Sequence, residues 1–346
     1  MAEEFKLSSY SYQPPLSLIA QEPVYPRDSS RLLIVNRKDK SIKEAFFRDI
    51  VNFINPGDVL ALNNTRVINA KLIGHKPSGA KIEILLVNQH TDTVWEVLLK
   101  PVKRIKAGSV LIFADGEIQA RVLENTLKGL WLLEFSKGSA VLLKRAGKVP
   151  LPHYIKKEIS DENQYQTVYA QKEGAIAAPT AGLHFTENLL GQLKKLGIVV
   201  VKVTLHCGLA TFRPVKTSDI RQHNMESEWI EASAELEQAV NSAKAAGLRV
   251  IAVGTTSIRA LESMAFTEKD GKNYIKSFSG QTNLYITPGY NFKIIDAVLT
   301  NFHTPYSTNL ILVSTFCGLE LTRRAYAYAI KEKFRFYSFG DAMLIL

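Results

Sequence analysis

The chain holds only two cysteines, Cys207 and Cys317, far apart and in no CxxC doublet. That excludes a disulfide framework and a thiolate-built metal knuckle, and it suits a reducing compartment. The seven histidines form no HxH or HxxxH pair, so imidazole ligand spacing is missing too and no metal site is expected. None of the twenty glycines lie two residues apart. Without GxG there is no dinucleotide-binding fingerprint, and the absence of GxxxxGK[ST] removes a phosphate-binding P-loop. No apolar run reaches the ~18 residues that a membrane span requires. The opening MAEEFKLSS is acidic and lacks the basic-then-apolar order of a secretory leader, so a cytoplasmic protein is expected.

What is present is an ordinary globular composition, 46% apolar and 22% charged, in 346 residues, a length that suits two domains. The net charge of +10 is unevenly placed. Residues 71–157 carry 15 Lys and Arg against 7 Asp and Glu, a surplus of 15 − 7 = +8, and the rest of the chain carries only +2. Basicity gathered in one quarter of a chain fits a surface facing a polyanion; it also fits a solvated lysine-rich face that aids solubility. The densest cluster is Lys100, Lys103, Arg104 and Lys106.

Hydrophobic periodicity sets the architecture. SRLLIV (30–35) reads as a strand, KEAFFRDIVNFI (43–54) has helical spacing up to Pro56-Gly57, and DVLALNNTR runs a buried strand into a polar loop. Residues 67–138 then change texture. KLIGH, KIEILLV, TVWEVLLK, SVLIF, EIQARVL and LWLLEF are short strands separated by turn clusters, the pattern of a small antiparallel barrel. After the proline-rich GKVPLPHYI, helix and strand patterns alternate through ENLLGQLKKLG, IVVVKVTLH, SAELEQAVNSAKAAG, LRVIAVG and TSIRALESM. The fold expected is α/β, a larger mixed layered domain with an inserted small antiparallel β-barrel. Residues 1–66 and 155–346 form the α/β domain and 67–154 the basic insertion.

The chemistry-bearing stretches fall at the expected strand ends. VIAVGTTSIRALES places Gly254, Thr255, Thr256 and Ser257 at a helix start ahead of Arg259, which suits either an anion or a plain capped turn. AAPTAGLHFT sets His184 among small residues with Thr180 and Gly182. VTLHCGLATFRPV offers His206 and Thr211, and TNFHTPYST offers Asn301 and His303. Each histidine alone reads as a structural one. Three at strand ends, bordered by Gly, Thr or Asn, suggest a binding crevice. The aromatic terminus RFYSFGDAMLIL reads as buried; Arg335 beside aromatics suits base stacking or core packing, and Asp341 suits a turn or a proton-transfer role. Composition and spacing name no reaction.

These segments together resemble the S-adenosylmethionine:tRNA ribosyltransferase-isomerase family of queuosine biosynthesis. The likeness runs through IAQEPVYPRDSSRLLIV, PGDVLALNNTRVINAKL, YQTVYA, AAPTAGLHFT, TLHCGLATFRPV, VGTTSIRALES, ITPGYNFKIIDAVLTNFH and RFYSFGDAMLI. Departures from the family pattern are Glu226, Cys207, Ala210, His153, Thr304 and Tyr306. The resemblance implies transfer and isomerisation of the ribosyl unit of S-adenosylmethionine onto 7-aminomethyl-7-deazaguanine at the tRNA wobble position. Epoxyqueuosine forms, and adenine and methionine leave. It implies no cofactor beyond the consumed S-adenosylmethionine and a tRNA partner. The charge surplus of residues 71–157 places much of the tRNA contact there, densest at the four basic residues, and a monomer is expected. His184, His206, His303 and Asp341 are the candidates for proton transfer, with His184 first. Thr180, Gly182, Thr211, Gly254, Thr255, Thr256, Ser257, Arg259, Asn301 and Arg335 are candidates for substrate binding, the GTTS turn holding the methionine carboxylate. A tRNA-binding protein without catalysis and an S-adenosylmethionine-dependent methyltransferase are the alternatives. Release of adenine rather than S-adenosylhomocysteine separates the latter.

Overall fold

A computed structural model describes residues 1–126, 129–209, 214–268 and 271–346. They divide into two compact units, one built from 1–66, 153–173 and 178–346 and the other from 67–152 and 174–177.

Several strands of the larger unit are near-continuous apolar runs, such as VLALN, VIAV and AMLI, and every residue of these three is buried. Strands lacking polar alternation must be covered on both faces. They assemble into a nine-stranded sheet in the order Ser279–Thr282, Glu228–Ala232, Val199–Leu205, Val59–Asn63, Val250–Val253, Ala297–Asn301, Ala342–Ile345, Arg31–Val35, Ile42–Phe46. The four strands from Val199–Leu205 to Ala297–Asn301 are parallel. Ala342–Ile345 runs antiparallel to Ala297–Asn301, and Arg31–Val35 runs parallel to Ala342–Ile345. One end of the sheet therefore gathers four strand carboxyl ends with the amino ends of two others. His206, Gly254, Asn301 and Asp341 all lie there.

Period-two packing builds the core. Leu32, Ile34, Leu60, Leu62, Ile251, Val253, Leu299 and Leu344 cover one face, closed by Phe47, Ile50, Phe185, Leu189 and Leu193. The last two are one turn apart on helix Glu187–Lys195, which Thr186 caps through Leu189 N–H at 3.1 Å.

One expectation needs correction. KEAFFRDIVNFI is not an α-helix: Ile42–Phe46 is an edge strand antiparallel to Arg31–Val35, followed by a 3₁₀ segment Phe47–Asn52. Phe47 and Ile50, three apart and buried, match the three-residue 3₁₀ turn, and pairing with Leu32–Ile34 overrides helix propensity in the preceding residues. The carboxyl terminus is buried as expected, all four residues of Ala342–Ile345 being inside.

In the smaller unit, Lys71–His75, Lys81–Gln89, Val94–Lys100, Val110–Phe113, Ile118–Asn125 and Trp131–Phe135 pair antiparallel. They close into a barrel where His75 meets Ile112. Gly74 permits that seam, because a Cβ there would lie 2.4 Å from the Ile112 carbonyl oxygen and 2.5 Å from the Phe113 ring. The barrel and the mixed α/β sheet are the fold class that the periodicity indicated. The helix Ser139–Ala146 after the last barrel strand was not foreseen. Among the described residues no helix is long and apolar enough to cross a membrane.

Candidate active site

The strand ends are tied together by Asn63, which closes the strand Val59–Asn63 and is fully buried. Its Nδ2 donates to the Leu205 carbonyl at 2.9 Å and to Thr256 Oγ1 at 3.0 Å. Its Oδ1 accepts the N–H groups of Thr65 and Leu205, both at 3.1 Å. An amide has two donor hydrogens and two acceptor lone pairs, so Asn63 is saturated. Beside it, Asn64 Oδ1 accepts the Thr204 hydroxyl at 2.7 Å. Sequence reasoning passed over both residues, although an Asn pair ending an apolar strand was the available signal.

His184 is buried in the turn Thr180–His184 and stacks on Phe47, ring centroids 4.9 Å apart. Asn301 Nδ2 lies 3.1 Å from its Nε2, and Ser30 Oγ lies 2.8 Å from its Nδ1. The Asn301 amide is oriented by Thr180, whose hydroxyl donates to Oδ1 at 3.0 Å. Asn301 therefore donates to Nε2, which leaves the ring proton on Nδ1 to donate to Ser30. Burial, aided by the positive charges of Arg27 and Arg335, pushes the imidazole down to about 3. His184 is thus a neutral ring with both nitrogens engaged, which contrasts with its place at the head of the proton-transfer candidates. Gly182 serves this packing: a Cβ would fall 2.0 Å from the Tyr169 hydroxyl oxygen and 2.9 Å from Thr167 Cγ2.

His206 stands differently. It is half-buried just beyond the strand Val199–Leu205, with Nδ1 2.8 Å from Thr65 Oγ1. Thr65 Oγ1 also lies 3.4 Å from the Lys172 carbonyl, and both contacts are met when its proton is donated there. With that proton so used, Nδ1–H donates to Thr65 and the Nε2 lone pair is left without a hydrogen bond among the described residues. Burial and Lys172 lower the imidazole below its ordinary value, against an opposing pull from Glu231. The arrangement is a neutral base with a fixed tautomer.

His303 and Asp341 are structurally committed. His303 Nε2 lies 2.7 Å from the hydroxyl of Thr300, a strand residue whose side chain points to the face opposite Asn301, and burial pushes this ring down to about 4. Its main-chain carbonyl accepts the Tyr12 hydroxyl and its N–H donates to the Tyr326 hydroxyl oxygen at 2.9 Å. The Asp341 carboxylate accepts main-chain N–H from Arg31 at 2.9 Å and from Arg335 at 2.7 Å. Burial raises its carboxyl, and those two bonds oppose the shift. It ties the carboxyl-terminal loop to the first strand.

The GTTS turn differs from the expected anion cradle. Gly254 has φ +82°, which favours glycine, and its α-carbon faces Ala181, leaving 3.6 Å from an added Cβ. Ser257 Oγ donates back to the Val253 carbonyl at 2.7 Å instead of capping the helix Gly254–Ser263, Thr256 Oγ1 receives the Asn63 amide, and Thr255 is buried. Arg259 is buried in an ion pair with Glu228 and donates Nε to the Leu284 carbonyl at 3.0 Å. Glu228 in turn accepts Gly208 N–H at 2.7 Å. The hydroxyls and the guanidinium thus hold the loops around the site. Sequence reasoning also missed Glu228, Thr65 and Ser30.

In the barrel unit Lys100, Lys103, Arg104 and Lys106 are all exposed, the last three on the connection between Val94–Lys100 and Val110–Phe113. Thr211, with Ala210 and Arg213, lies outside the described residues. Among the described residues no group of three or more His, Cys, Asp or Glu side chains could hold a metal ion.

Residues 7–345 match the family described as queuosine biosynthesis protein. Proteins of Halothermothrix orenii and of a Thermoanaerobacter species are 46% and 47% identical to this chain over 344 residues, covering 99% of it and 100% of their own length. Both are named S-adenosylmethionine:tRNA ribosyltransferase-isomerase. The crystal structure of S-adenosylmethionine tRNA ribosyltransferase from Thermotoga maritima is similar with a TM-score of 0.56 and 34% identity, over 98% of this chain and 100% of that one.

A neutral buried histidine makes stability depend on pH. The unfolded ring titrates at its ordinary value near 6.5 and the folded His184 at about 3, so between these values the unfolded chain binds the extra proton. Stability is therefore lost as pH falls below about 6.5. From pH 7 to 5 His184 should account for roughly 2 kcal/mol of that loss. Urea unfolding at both pH values should show His184→Gln losing less on acidification by about this amount. Equal acid sensitivity in wild type and variant would contradict a neutral, desolvated ring.

Proposed function

We propose that this chain, which belongs to the queuosine biosynthesis protein family, is an S-adenosylmethionine:tRNA ribosyltransferase-isomerase. It moves the ribosyl unit of S-adenosylmethionine onto 7-aminomethyl-7-deazaguanine at the wobble position of tRNA and isomerises it to epoxyqueuosine. Adenine and methionine leave. The observation that carries this proposal is full-length similarity to relatives bearing that name. The setting is the cytoplasm, the active form a monomer, and the sulfonium supplies the activation, so the scheme calls for no metal or separate cofactor.

The site chemistry fits that reaction. A positive sulfur acidifies the neighbouring C5′ protons, and a neutral imidazole with a free lone pair is the base to take one. His206 meets that description. The neutral amine of the modified base bonds to the ribosyl unit as the C1′–adenine bond breaks, the leaving adenine taking a proton on a ring nitrogen. An oxygen of the ribosyl unit closes the epoxide as the C5′–sulfur bond breaks and methionine leaves. His184 acts beside this chemistry by holding Asn301, and through it Thr180 and the Asp341 carbonyl. Asp341 and His303 hold loops. Arg335 and the loops at Thr180–Gly182 and Gly254–Thr256 line the substrate. The exposed cluster at Lys100, Lys103, Arg104 and Lys106 supplies part of the tRNA contact.

Two experiments test the assignment. In single turnover with saturating tRNA, His206→Gln should slow adenine release by about 10²–10⁴-fold, the usual worth of a general base. His184→Gln should slow it by less than about tenfold, its larger effect falling on stability. Adenine release at the wild-type rate in His206→Gln would remove His206 from the proton path. Changing the four barrel residues to Ala should weaken tRNA binding and flatten its log–log salt slope by up to about 2.8, at roughly 0.7 per contact. S-adenosylmethionine binding should be unchanged. An unaltered slope would place the RNA elsewhere.

A further inference from the structure

Two guanidinium groups border the His184 frame without a carboxylate partner among the described residues. Arg335 donates Nη2 to the Glu22 carbonyl, while its Nη1 is buried and has no hydrogen-bond partner among them. The same residue is bonded into the frame: its N–H donates to Asp341, and the Asp341 carbonyl accepts Asn301 Nδ2 at 3.4 Å, the amide that holds His184. Arg27 donates Nη1 to the carbonyls of Gln166 at 2.8 Å and Leu183, next to His184, at 3.4 Å, and Nη2 to that of Asn163 at 2.6 Å. Every acceptor of both groups is a neutral main-chain oxygen.

The nearby acids are already committed. Asp341 spends its two oxygens on main-chain N–H groups, and the Glu22 carboxylate pairs with Lys157. His184, on whose ring both arginines act, stays neutral. Two positive charges thus stand on partly desolvated ground with no counter-ion among the described residues, and a buried N–H of a charged group is costly to leave unmade. Evolution has the option of pairing such a group internally, as it has done for Arg259 with Glu228. Here it has not.

We propose that Arg27 and Arg335 form a carboxylate subsite that takes the methionyl carboxylate of the sulfonium donor. This rests on the reaction proposed above and moves the anion site away from the GTTS turn, where the Ser257 and Thr256 hydroxyls are bonded within the protein and Arg259 already has a counter-ion in Glu228. Charge also fixes the direction of binding. The donor carries a positive sulfur and a positive amine, which two guanidinium groups repel, and one carboxylate, which they attract. The methionyl end therefore points to Arg27 and Arg335, and the sulfonium and ribosyl carbon point away from them. A carboxylate offers the guanidinium a full opposite charge where the Glu22 carbonyl offers only a dipole, so a carboxylate outcompetes that carbonyl for Arg335. A terminal carboxylate also reaches a recessed Nη1 more readily than a phosphate flanked by sugars in a polymer.

The test is calorimetric binding without tRNA, which needs no turnover and so stands or falls apart from the reaction itself. The probes are S-adenosylmethionine and its decarboxylated analogue. Wild type should prefer the carboxylate-bearing donor by about tenfold or more, the worth of a hydrogen bond to a charged group. Arg335→Gln should reduce that preference to within about threefold, and Arg27→Gln should also reduce it. A wild-type preference below about threefold would overturn the proposal, and this comparison needs no variant to fold. So would an Arg335→Gln protein that keeps the full preference and loses only tRNA affinity, with a flatter salt slope, because that marks a phosphate site.

Discussion

The saturated amide of Asn63 is the contact on which the site depends. It ends one parallel strand, receives the main chain just after it, grips Leu205 on the neighbouring strand through both N–H and C=O, and supports Thr256 on the helix that follows the strand Val250–Val253. Strand ends are where the hydrogen-bond ladder stops and main-chain groups would otherwise need water. One side chain that meets three such demands and bonds the Thr256 hydroxyl besides converts these fraying ends into a rigid rim. His206 stands on that rim, and Thr65, which fixes its tautomer, is itself held by Asn63. A base whose orientation is set two bonds away needs no reorganisation when substrate arrives.

A second tie, centred on Asn301, uses the opposite end of the same rim. Thr180 sets the amide, the amide sets His184, and its remaining hydrogen reaches the Asp341 carbonyl. Here the histidine is an uncharged spacer. Burial keeps it so, and the two arginines reinforce the effect. The three histidines at strand ends thus divide according to surroundings: two are desolvated and bonded, and one is half-buried with a lone pair unused among the described residues. Residue type brought them to notice together, and environment separates them.

That division also marks how far the sequence could be read. The barrel was legible because six short alternating runs can only be half-buried strands, and the parallel core because unbroken apolar runs must be covered on both faces. The stretch 43–54 misled because Phe47, Ile50 and Ile54 keep helical spacing, while the hairpin with Arg31–Val35 that claims its first half is a tertiary fact. The crevice was legible as a cluster of polar strand ends. The role of each member was not, since the partner of His184 lies 117 residues away at Asn301, and Arg259 finds Glu228 31 residues off. Thr65 carried no chemical signal of its own, and that of Asn63 was only an Asn pair ending an apolar strand. Their importance comes from what three separate segments bring to them.

The central claim is that His206, and not His184, faces the reacting carbon. A crystal structure with S-adenosylmethionine bound tests it most directly. The account predicts the ribosyl C5′ within about 3–3.5 Å of His206 Nε2, the distance of a near-attack arrangement, with His184 still bonded to Ser30 and Asn301. A C5′ lying against the His184 ring, with either of those two bonds broken, would contradict it.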